Sequence, residues 1–260
     1  MNRHEKIKQV RNKLKKSNEP TIGSWMQIPH PHIAEILGNG GYDWVAIDLE
    51  HGNISHHQLP ELFRALEITG TLPLARIIEG NAVYCKQALE AGAGGIIVPM
   101  IETADQIKDV SDFCKWPPAG RRGVGFSRAN LFGRYFDKYK AEAQEPLVIA
   151  MVETVKGVEN LESILKVPGL DALMIGPYDL SASMGMIADF TNPEFVKTIN
   201  KILELCKKHN VAAGLHVVDP DKDLLEKRIS EGYKFIAYSV DAVFLNKISL
   251  NPRAPKGVQN

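Results

Sequence analysis

Short apolar runs alternate with amphipathic stretches along almost the whole chain. Eight runs are apolar enough to be parallel strands that are buried on both faces, and they cover Thr21–Gln27, Trp44–Leu49, Leu72–Ile77, Gly95–Pro99, Leu147–Glu153, Ala172–Gly176, Ala212–His216 and Phe235–Tyr238. The stretches between them carry helical periodicity, chiefly over His32–Leu37, Gln58–Thr69, Val83–Ala91, Ala104–Cys114, Gly157–Leu165, Pro193–His209 and Lys222–Glu231. Eight strands that alternate with helices predict an α/β fold, a (β/α)8 TIM barrel.

An open, doubly wound sheet is the main alternative fold. It would more often show a glycine-rich phosphate-binding turn after the first strand, and the sequence TIGSWMQIPH is not one. The 260 residues suit one barrel, since such barrels have about 250 residues. We therefore predict a single domain over 1–260, with an N-terminal helix within 1–20 and a flexible polar tail over 251–260.

One long connection breaks the alternation of strands and helices. It covers Lys115–Glu145, between the fourth and fifth strands, and is rich in Gly, Pro, Arg and aromatic residues. Connections of this length are more often functional loops or lids than spacers.

Charge and cysteine content narrow the class of partner. Lys+Arg and Asp+Glu are balanced at 31 each, so no positive field favours nucleic acid or an anionic membrane. The N-terminus is basic but lacks the apolar core of a secretory signal, and no run is long enough to cross a membrane. The three cysteines are widely spaced, as expected of free thiols in a reducing cytosol. We expect a cytoplasmic protein.

Polar residues with catalytic chemistry stand where the predicted strands end. In an α/β barrel the carboxyl ends of the strands form the active-site rim. Acids, histidines and a guanidinium converge there, namely Asp48, Glu50, His51, Arg76, Glu153, Asp179 and His216. Burying such charges is costly unless they are paired or bound to a metal.

Two of these carboxylates suggest a metal site. Glu153 and Asp179 follow adjacent strands, and two carboxylates can hold one hard divalent cation while leaving coordination positions open. Mg²⁺ or Mn²⁺ suits oxygen ligands, with Co²⁺ as a further candidate. The alternative is that these carboxylates form surface ion pairs, or that Asp179 caps the helix after it.

His51 and Arg76 supply the remaining chemistry. His51 has the pKa range of a general base, and Asp48 three residues earlier can orient it or raise its basicity. Arg76 ends an apolar strand, where a planar guanidinium suits an anionic oxygen. A structural histidine and an ion pair within the barrel are the respective alternatives. The helix start at 176–179 offers free amides for a carboxylate.

Several motifs resemble one enzyme family in the same order along nearly the whole chain. They are GGYDWVAIDLEHG, LARI, ALEAGAGGIIVPMIETADQ, KWPPAGRRGVG, MVETVKGVENLESIL, GLDALMIGPYDLSASMG and FIAYSVDAVFL. The sequence resembles the metal-dependent (class II) pyruvate aldolases of the 4-hydroxy-2-oxo-heptanedioate aldolase and 2-dehydro-3-deoxyglucarate aldolase family. The resemblance implies reversible cleavage of a 4-hydroxy-2-oxo acid to pyruvate and an aldehyde.

The resemblance also implies a role for individual residues. It makes Glu153 and Asp179 the metal ligands, and it places the substrate carboxylate in the turn Gly176, Pro177, Tyr178 and Asp179. It makes His51 the catalytic base, Asp48 the acid paired with that base, and Arg76 the group that stabilises the enolate oxygen. Glu90 stands where relatives carry an aspartate that reaches a neighbour's site. The implied assembly is a homo-oligomer, a trimer or hexamer, whose last helix packs on a neighbouring subunit.

Besides Glu90, two residues depart from the family pattern. Met151 stands where relatives usually have a glutamine that contacts the substrate, and Tyr178 replaces a small residue in the binding turn. A lyase of the malyl-CoA and citrate-lyase type and a 2-oxo acid binding protein without turnover remain as alternatives. A Schiff-base aldolase is disfavoured, because Lys86, Lys108 and Lys156 fall on predicted helices and no lysine ends a strand.

Overall fold

The strands close into one barrel. A computed structural model describes residues 2–17 and 19–253. Its parallel strands pair in sequence order, from β1 to β8, and β8 pairs back onto β1. The strands are β1 (Thr21–Met26), β2 (Trp44–Asp48), β3 (Leu72–Arg76), β4 (Gly95–Val98), β5 (Leu147–Val152), β6 (Ala172–Ile175), β7 (Ala212–Val217) and β8 (Phe235–Val240). The predicted barrel is confirmed, and the doubly wound alternative is excluded.

Helices surround the barrel and close its amino-terminal end. They are α1 (Arg3–Lys15), α2 (Pro31–Asn39), α3 (Leu59–Thr69), α4 (Ala82–Ala91), α5 (Ala104–Cys114), α6 (Phe136–Glu142), α7 (Val155–Glu159), α8 (Leu161–Leu165), α9 (Pro177–Ser183), α10 (Pro193–Lys208), α11 (Lys222–Ser230) and α12 (Asp241–Ile248). In the part of the chain that is described, no helix has the length and apolar character needed to span a bilayer.

Two apolar layers hold the barrel together. One fills the interior, where Trp44 stacks on Phe235 with ring centroids 4.2 Å apart. Gly23 makes room for this pair, because a Cβ there would lie 2.1 Å from the Trp44 ring. The other layer lies between the outer faces of the strands and the surrounding helices. The strands are therefore buried on both faces, as their near-continuous apolar sequences predict.

The α1 helix closes the amino-terminal end of the barrel. Ile7, Val10 and Leu14 lie on one face, and they join the interior apolar layer. Arg11 donates from Nε to Asp171 Oδ1 at 2.8 Å and from Nη2 to Oδ2 at 3.1 Å, which ties α1 to the residue preceding β6. The amino-terminal end of the barrel is therefore closed by α1, and the carboxyl-terminal end is left as the place for an active site.

Two segments differ from their prediction. The helix predicted over 157–165 is observed as two short helices, α7 and α8. The helix is interrupted at Asn160, whose side chain donates a hydrogen bond to Glu102 O at 2.9 Å. The long connection over 115–145 contains a 3₁₀ turn (Arg128–Asn130) and α6, packed around Trp116 and Tyr139. Most of the predicted flexible tail, 254–260, lies outside the described residues.

Candidate active site

Arg76 is held by two carboxylates at the carboxyl ends of β2 and β3. Asp48 and Arg76 are register partners at the ends of these strands. Arg76 donates from Nε to Asp48 Oδ1 at 2.8 Å and from Nη2 to Asp48 Oδ2 at 2.7 Å. Its third nitrogen, Nη1, lies 3.0 Å from Glu50 Oε2. The guanidinium is buried, and the bidentate pair fixes the edge formed by Nε and Nη2.

Asp48 collects further donors besides Arg76. Gln27 Nε2 donates to Oδ2 at 2.9 Å, and the backbone amides of Glu50 and His51 donate to Oδ1 at 3.1 and 3.2 Å. Burial alone would raise the pKa of Asp48, but the hydrogen bonds and charge of Arg76, with the Gln27 bond, outweigh it and hold that pKa below its usual value. Asp48 is therefore a fixed negative charge.

The predicted side-chain pair of Asp48 and His51 is not formed in this structure. Asp48 contacts His51 through the backbone amide of His51, and within 2–17 and 19–253 the His51 imidazole has no hydrogen-bond partner. The physical reason is that both carboxylate oxygens of Asp48 are turned to Arg76, its neighbour on β3. The His51 side chain is exposed to solvent beside the site, so its role as a base stays a prediction.

Glu153 follows β5 and is almost fully buried, with 3% of its surface exposed. Its Oε1 accepts a hydrogen bond from the Met100 backbone amide at 2.7 Å. Burial raises the pKa of Glu153 to about 7, with further contributions from the negative charges of Asp179 and Glu50 and an opposing one from the Met100 amide. Three acidic groups therefore share one region of negative potential.

Gly176 creates the space beside the second oxygen of Glu153. A Cβ at position 176 would lie 2.3 Å from Glu153 Oε2, which is closer than Cβ atoms come to other heavy atoms in real structures. No side chain of the described residues donates a hydrogen bond to Oε2 or forms an ion pair with Glu153. Oε2 therefore lies against the backbone at Gly176 with no hydrogen-bond donor among the described residues.

Asp179 lies in the first turn of α9, directly after that turn. The residue that caps α9 is Gly176, so the alternative in which Asp179 caps the helix is wrong. Asp179 is exposed, and within the described ranges neither Asp179 nor Glu153 forms a salt bridge, which also removes the ion-pair alternative. The backbone amides of Tyr178 and Asp179, in the first turn of the helix, have no intrahelical acceptor.

The donor set fits a hard divalent cation. Glu153 and Asp179 supply carboxylate oxygens, which such cations prefer, and neither is neutralised by a protein cation. In the described part of the chain no three His, Cys, Asp or Glu side chains converge to form a complete metal cage. The assignment of Glu153 and Asp179 as two protein ligands, with open positions for substrate, stays a prediction.

The remaining predicted residues lie outside this group or at its rim. Glu90 is on α4, with Oε1 3.9 Å from Lys86 Nζ, and does not contact the acidic group of its own chain. Met151 is buried in the barrel interior. Tyr178 is half exposed and packs edge-on against Phe190 at 5.0 Å between centroids.

The sequence alone predicted no role for Gln27 or Glu50, although each contacts a member of the pair formed by Asp48 and Arg76. Gln27 follows β1 and bonds Asp48, and Glu50 contacts Arg76. Both stand just after the carboxyl ends of strands, and this position is the one sequence feature that could have marked them as site residues.

Comparison with known proteins agrees with this geometry. Residues 21–247 match the family described as HpcH/HpaI aldolase/citrate lyase. The chain is 38% identical to a hydroxypyruvate/pyruvate aldolase of Roseobacter denitrificans, covering 90% of this chain and 93% of that protein. It is 37% identical to a 2-keto-3-deoxy-L-rhamnonate aldolase of Klebsiella pneumoniae, covering 86% and 84%.

Solved structures give the same result. An HpcH/HpaI aldolase/citrate lyase family protein from Burkholderia cenocepacia superposes with a TM-score of 0.87 at 31% identity, covering 93% of this chain and 96% of that one. Macrophomate synthase superposes with a TM-score of 0.81 at 25% identity, covering 95% and 86%. The predicted family, and with it the predicted class of carbon–carbon lyase, is confirmed: this chain belongs to the HpcH/HpaI aldolase/citrate lyase family.

Proposed function

We propose that this chain is a metal-dependent aldolase that reversibly cleaves a 4-hydroxy-2-oxo acid to pyruvate and an aldehyde. The observation that carries the proposal is the placement of Glu153 and Asp179 near Arg76 at the mouth of the barrel, where neither carboxylate forms a salt bridge within the described residues. The names of the relatives, a hydroxypyruvate/pyruvate aldolase and a 2-keto-3-deoxy-L-rhamnonate aldolase, support the substrate class.

Glu153 and Asp179 would hold the divalent cation, with Mg²⁺ or Mn²⁺ as the favoured ions and Co²⁺ as a third candidate. A bound cation supplies Lewis acidity to the keto oxygen of the substrate. The position of the Glu153 carboxylate is set before a cation binds, because the group is buried and the Met100 amide donates a hydrogen bond to one of its oxygens.

The substrate carboxylate is assigned to the turn that opens α9. The amides of Tyr178 and Asp179 point along the helix axis at its positive end, Pro177 has no N–H and only fixes the turn, and Gly176 leaves room for close approach. Arg76 faces the developing enolate oxygen. Asp48 and Glu50 hold its edges before substrate arrives, so it stabilises negative charge with little reorganisation.

His51 is assigned the proton transfer at the C4 hydroxyl, directly or through one water. When His51 takes that proton, the C4 oxygen forms a carbonyl, the C3–C4 bond breaks, and its electron pair becomes the enolate of pyruvate. A proton then returns to C3 and pyruvate is released. The side chain is exposed at the rim, where an aldehyde can enter and leave.

The test is an assay of pyruvate release from 4-hydroxy-2-oxo acids by the purified protein. We expect activity that is lost after chelation and restored by Mg²⁺ or Mn²⁺, and that survives borohydride in the presence of pyruvate. Glu153→Gln should lose metal binding and turnover. Glu159→Gln, which removes an exposed carboxylate on α7, is the matched control and should change neither.

A metal-independent activity that borohydride abolishes would overturn the proposed mechanism. Saturation by a CoA thioester, with no pyruvate released from free 2-oxo acids, would instead indicate a lyase of the citrate-lyase type. Metal and pyruvate binding without turnover of any 4-hydroxy-2-oxo acid would indicate a binding protein. Each of these results is incompatible with the proposed aldolase.

We also propose that the chain assembles as a homo-oligomer, a trimer or hexamer, in which Glu90 reaches a neighbour's site. Support comes from apolar side chains that the 115–145 segment leaves exposed, including Phe126 and Phe132, which are 73% and 75% exposed. Light scattering on the purified protein should give the mass of a multimer, and a monomer of 28.8 kDa would refute the assembly. A cytoplasmic location is proposed because all three cysteines are free.

A further inference from the structure

The indole of Trp25 packs against two side chains of the active-site region. Trp25 lies near the end of β1 and is 2% exposed. The Arg76 guanidinium carbon lies 5.2 Å from the centre of its ring. The His216 imidazole packs nearly parallel to the indole, with centroids 5.3 Å apart and planes 28° apart. The indole ring thus contacts a guanidinium whose edges bind two carboxylates.

His216 is itself fixed by the backbone of β8. Its Nε2 lies 2.9 Å from Ser239 O, and because a carbonyl oxygen only accepts, Nε2 carries the proton. Burial lowers the pKa of His216 to about 4. The ring is therefore neutral near pH 7, and it packs close to the Arg76 cation without charge repulsion. Trp25 is held between a ring anchored to β8 and the guanidinium from β3.

The two hydrogen bonds to Asp48 leave one motion of Arg76 free. The bonds from Nε and Nη2 to Asp48 fix one edge of the guanidinium, but the group can still tilt about the line that joins these two bonds. Of the carboxylate contacts, the single one between Nη1 and Glu50 Oε2 resists this tilt. The Trp25 ring, over which the guanidinium carbon lies, adds to this resistance. The position of the remaining nitrogen, Nη1, depends on the tilt, and Nη1 is the nitrogen directed towards Glu50 and the acidic group.

We propose that His216 and Trp25 are positioning residues, which hold the Arg76 guanidinium at the tilt that directs it to the reacting oxygen of the substrate. This inference rests on the proposed function, which makes Arg76 the partner of the enolate. His216 acts through Trp25, and Trp25 acts through Arg76. Neither residue is assigned contact with the cation or a proton-transfer step.

The test compares His216→Leu and Trp25→Leu with Phe235→Leu. Phe235 is a fully buried ring of the same barrel interior that packs on Trp44 rather than on Arg76. We expect the two test variants to lower kcat by about 10- to 100-fold, as small misplacements of a reacting group do, while KM for the 2-oxo acid and Kd for Mn²⁺ change less than about threefold. Phe235→Leu should keep kcat at any temperature where it is folded.

Conservative variants and crystal structures complete the test. His216→Phe and Trp25→Phe retain a ring at each position and should recover most of the lost kcat. Crystal structures of the leucine variants should show the Arg76 guanidinium tilted from its wild-type plane. The structures do not require activity, so they test the positioning role even if the wild-type protein proves inactive, which would refute only the proposed function. An Arg76 plane unchanged in both leucine variants, or a kcat unchanged in them, would overturn the inference.

Discussion

Gly176 is a residue whose missing side chain shapes the candidate metal site. Only hydrogen fits there, because a Cβ would meet Glu153 Oε2 at 2.3 Å. We expect Gly176→Ala to displace the Glu153 carboxylate and to weaken Mn²⁺ binding by at least about tenfold, with a similar fall in kcat/KM. Isothermal titration with Mn²⁺ measures the first effect. Gly125→Ala is the control, since a Cβ there meets no atom within 4 Å, and equal affinities in the two variants would contradict the argument.

Arg76 is a second residue where a conservative change should fail. Lysine supplies one point charge, so Arg76→Lys leaves the buried Asp48 carboxylate without its two parallel hydrogen bonds. We expect the free energy of unfolding to fall by about 2–3 kcal/mol and kcat/KM to fall by about 100-fold. Urea unfolding and pyruvate release measure the two effects.

Arg11→Lys is the matched control for that substitution. Arg11 forms the same kind of bidentate pair with buried Asp171, but at the amino-terminal end of the barrel. It should lose stability and keep kcat/KM. Equal activity losses in the two variants would mean that Arg76 contributes to stability alone.

The positions of the site residues were predictable from the sequence, but their hydrogen-bond partners were not. Strand ends predicted that Glu153, Asp179 and Arg76 share one rim, because parallel strands end at the same edge of a barrel. The partner of Asp48 was not predictable from chain separation: His51 is three residues away, yet the register between β2 and β3 places Arg76 opposite. The hydrogen bond from the Met100 amide to Glu153 was also not predictable, because every residue except proline has a backbone N–H and the residue type does not show which one donates.

At the scale of elements, α1 stabilises the barrel without taking part in its chemistry. Leu14 is 2% exposed and packs in the interior layer at the end opposite the site. We expect Leu14→Ala to lower the free energy of unfolding by about 2–4 kcal/mol. The kcat should stay within about twofold at temperatures where the protein is folded. Gln9→Ala, on the exposed face of α1, should change neither quantity, and a large loss of kcat in folded Leu14→Ala would connect α1 to the site.

Periodicity predicted elements well where they are long and face one core. All eight strands were found within two residues of their observed ends, because a strand buried on both faces has no polar interruption. The misses are local: Asn160 divides one helix by bonding Glu102 O, and α6 is short and buries only Tyr139. A seven-residue helix with one buried residue has no repeating apolar pattern to detect.

At the scale of the whole molecule, closing the barrel places ionisable groups in surroundings that the unfolded chain lacks. His216 lies on β7 with its ring against Trp25, and burial lowers its pKa to about 4 from 6.5. Between these two values the unfolded chain binds a proton that the folded chain does not. The stability that His216 contributes is therefore complete above pH 6.5 and falls progressively as the pH drops towards 4.

This linkage is measurable as a difference between two variants. From pH 7 to pH 4.5 the wild-type protein should lose about 2 kcal/mol more unfolding free energy than His216→Gln, which has no group that titrates in this range. Urea unfolding of both proteins at half-unit steps of pH gives this difference. Subtracting one curve from the other removes the pH dependence of the carboxylates, which both proteins share. Gln9→Ala, which removes no titrating group from the exposed face of α1, should follow the wild-type curve. Parallel curves for the wild-type protein and His216→Gln would mean that the imidazole is as well hydrated in the barrel as in the unfolded chain, and the ring could then not be the neutral support that Trp25 requires.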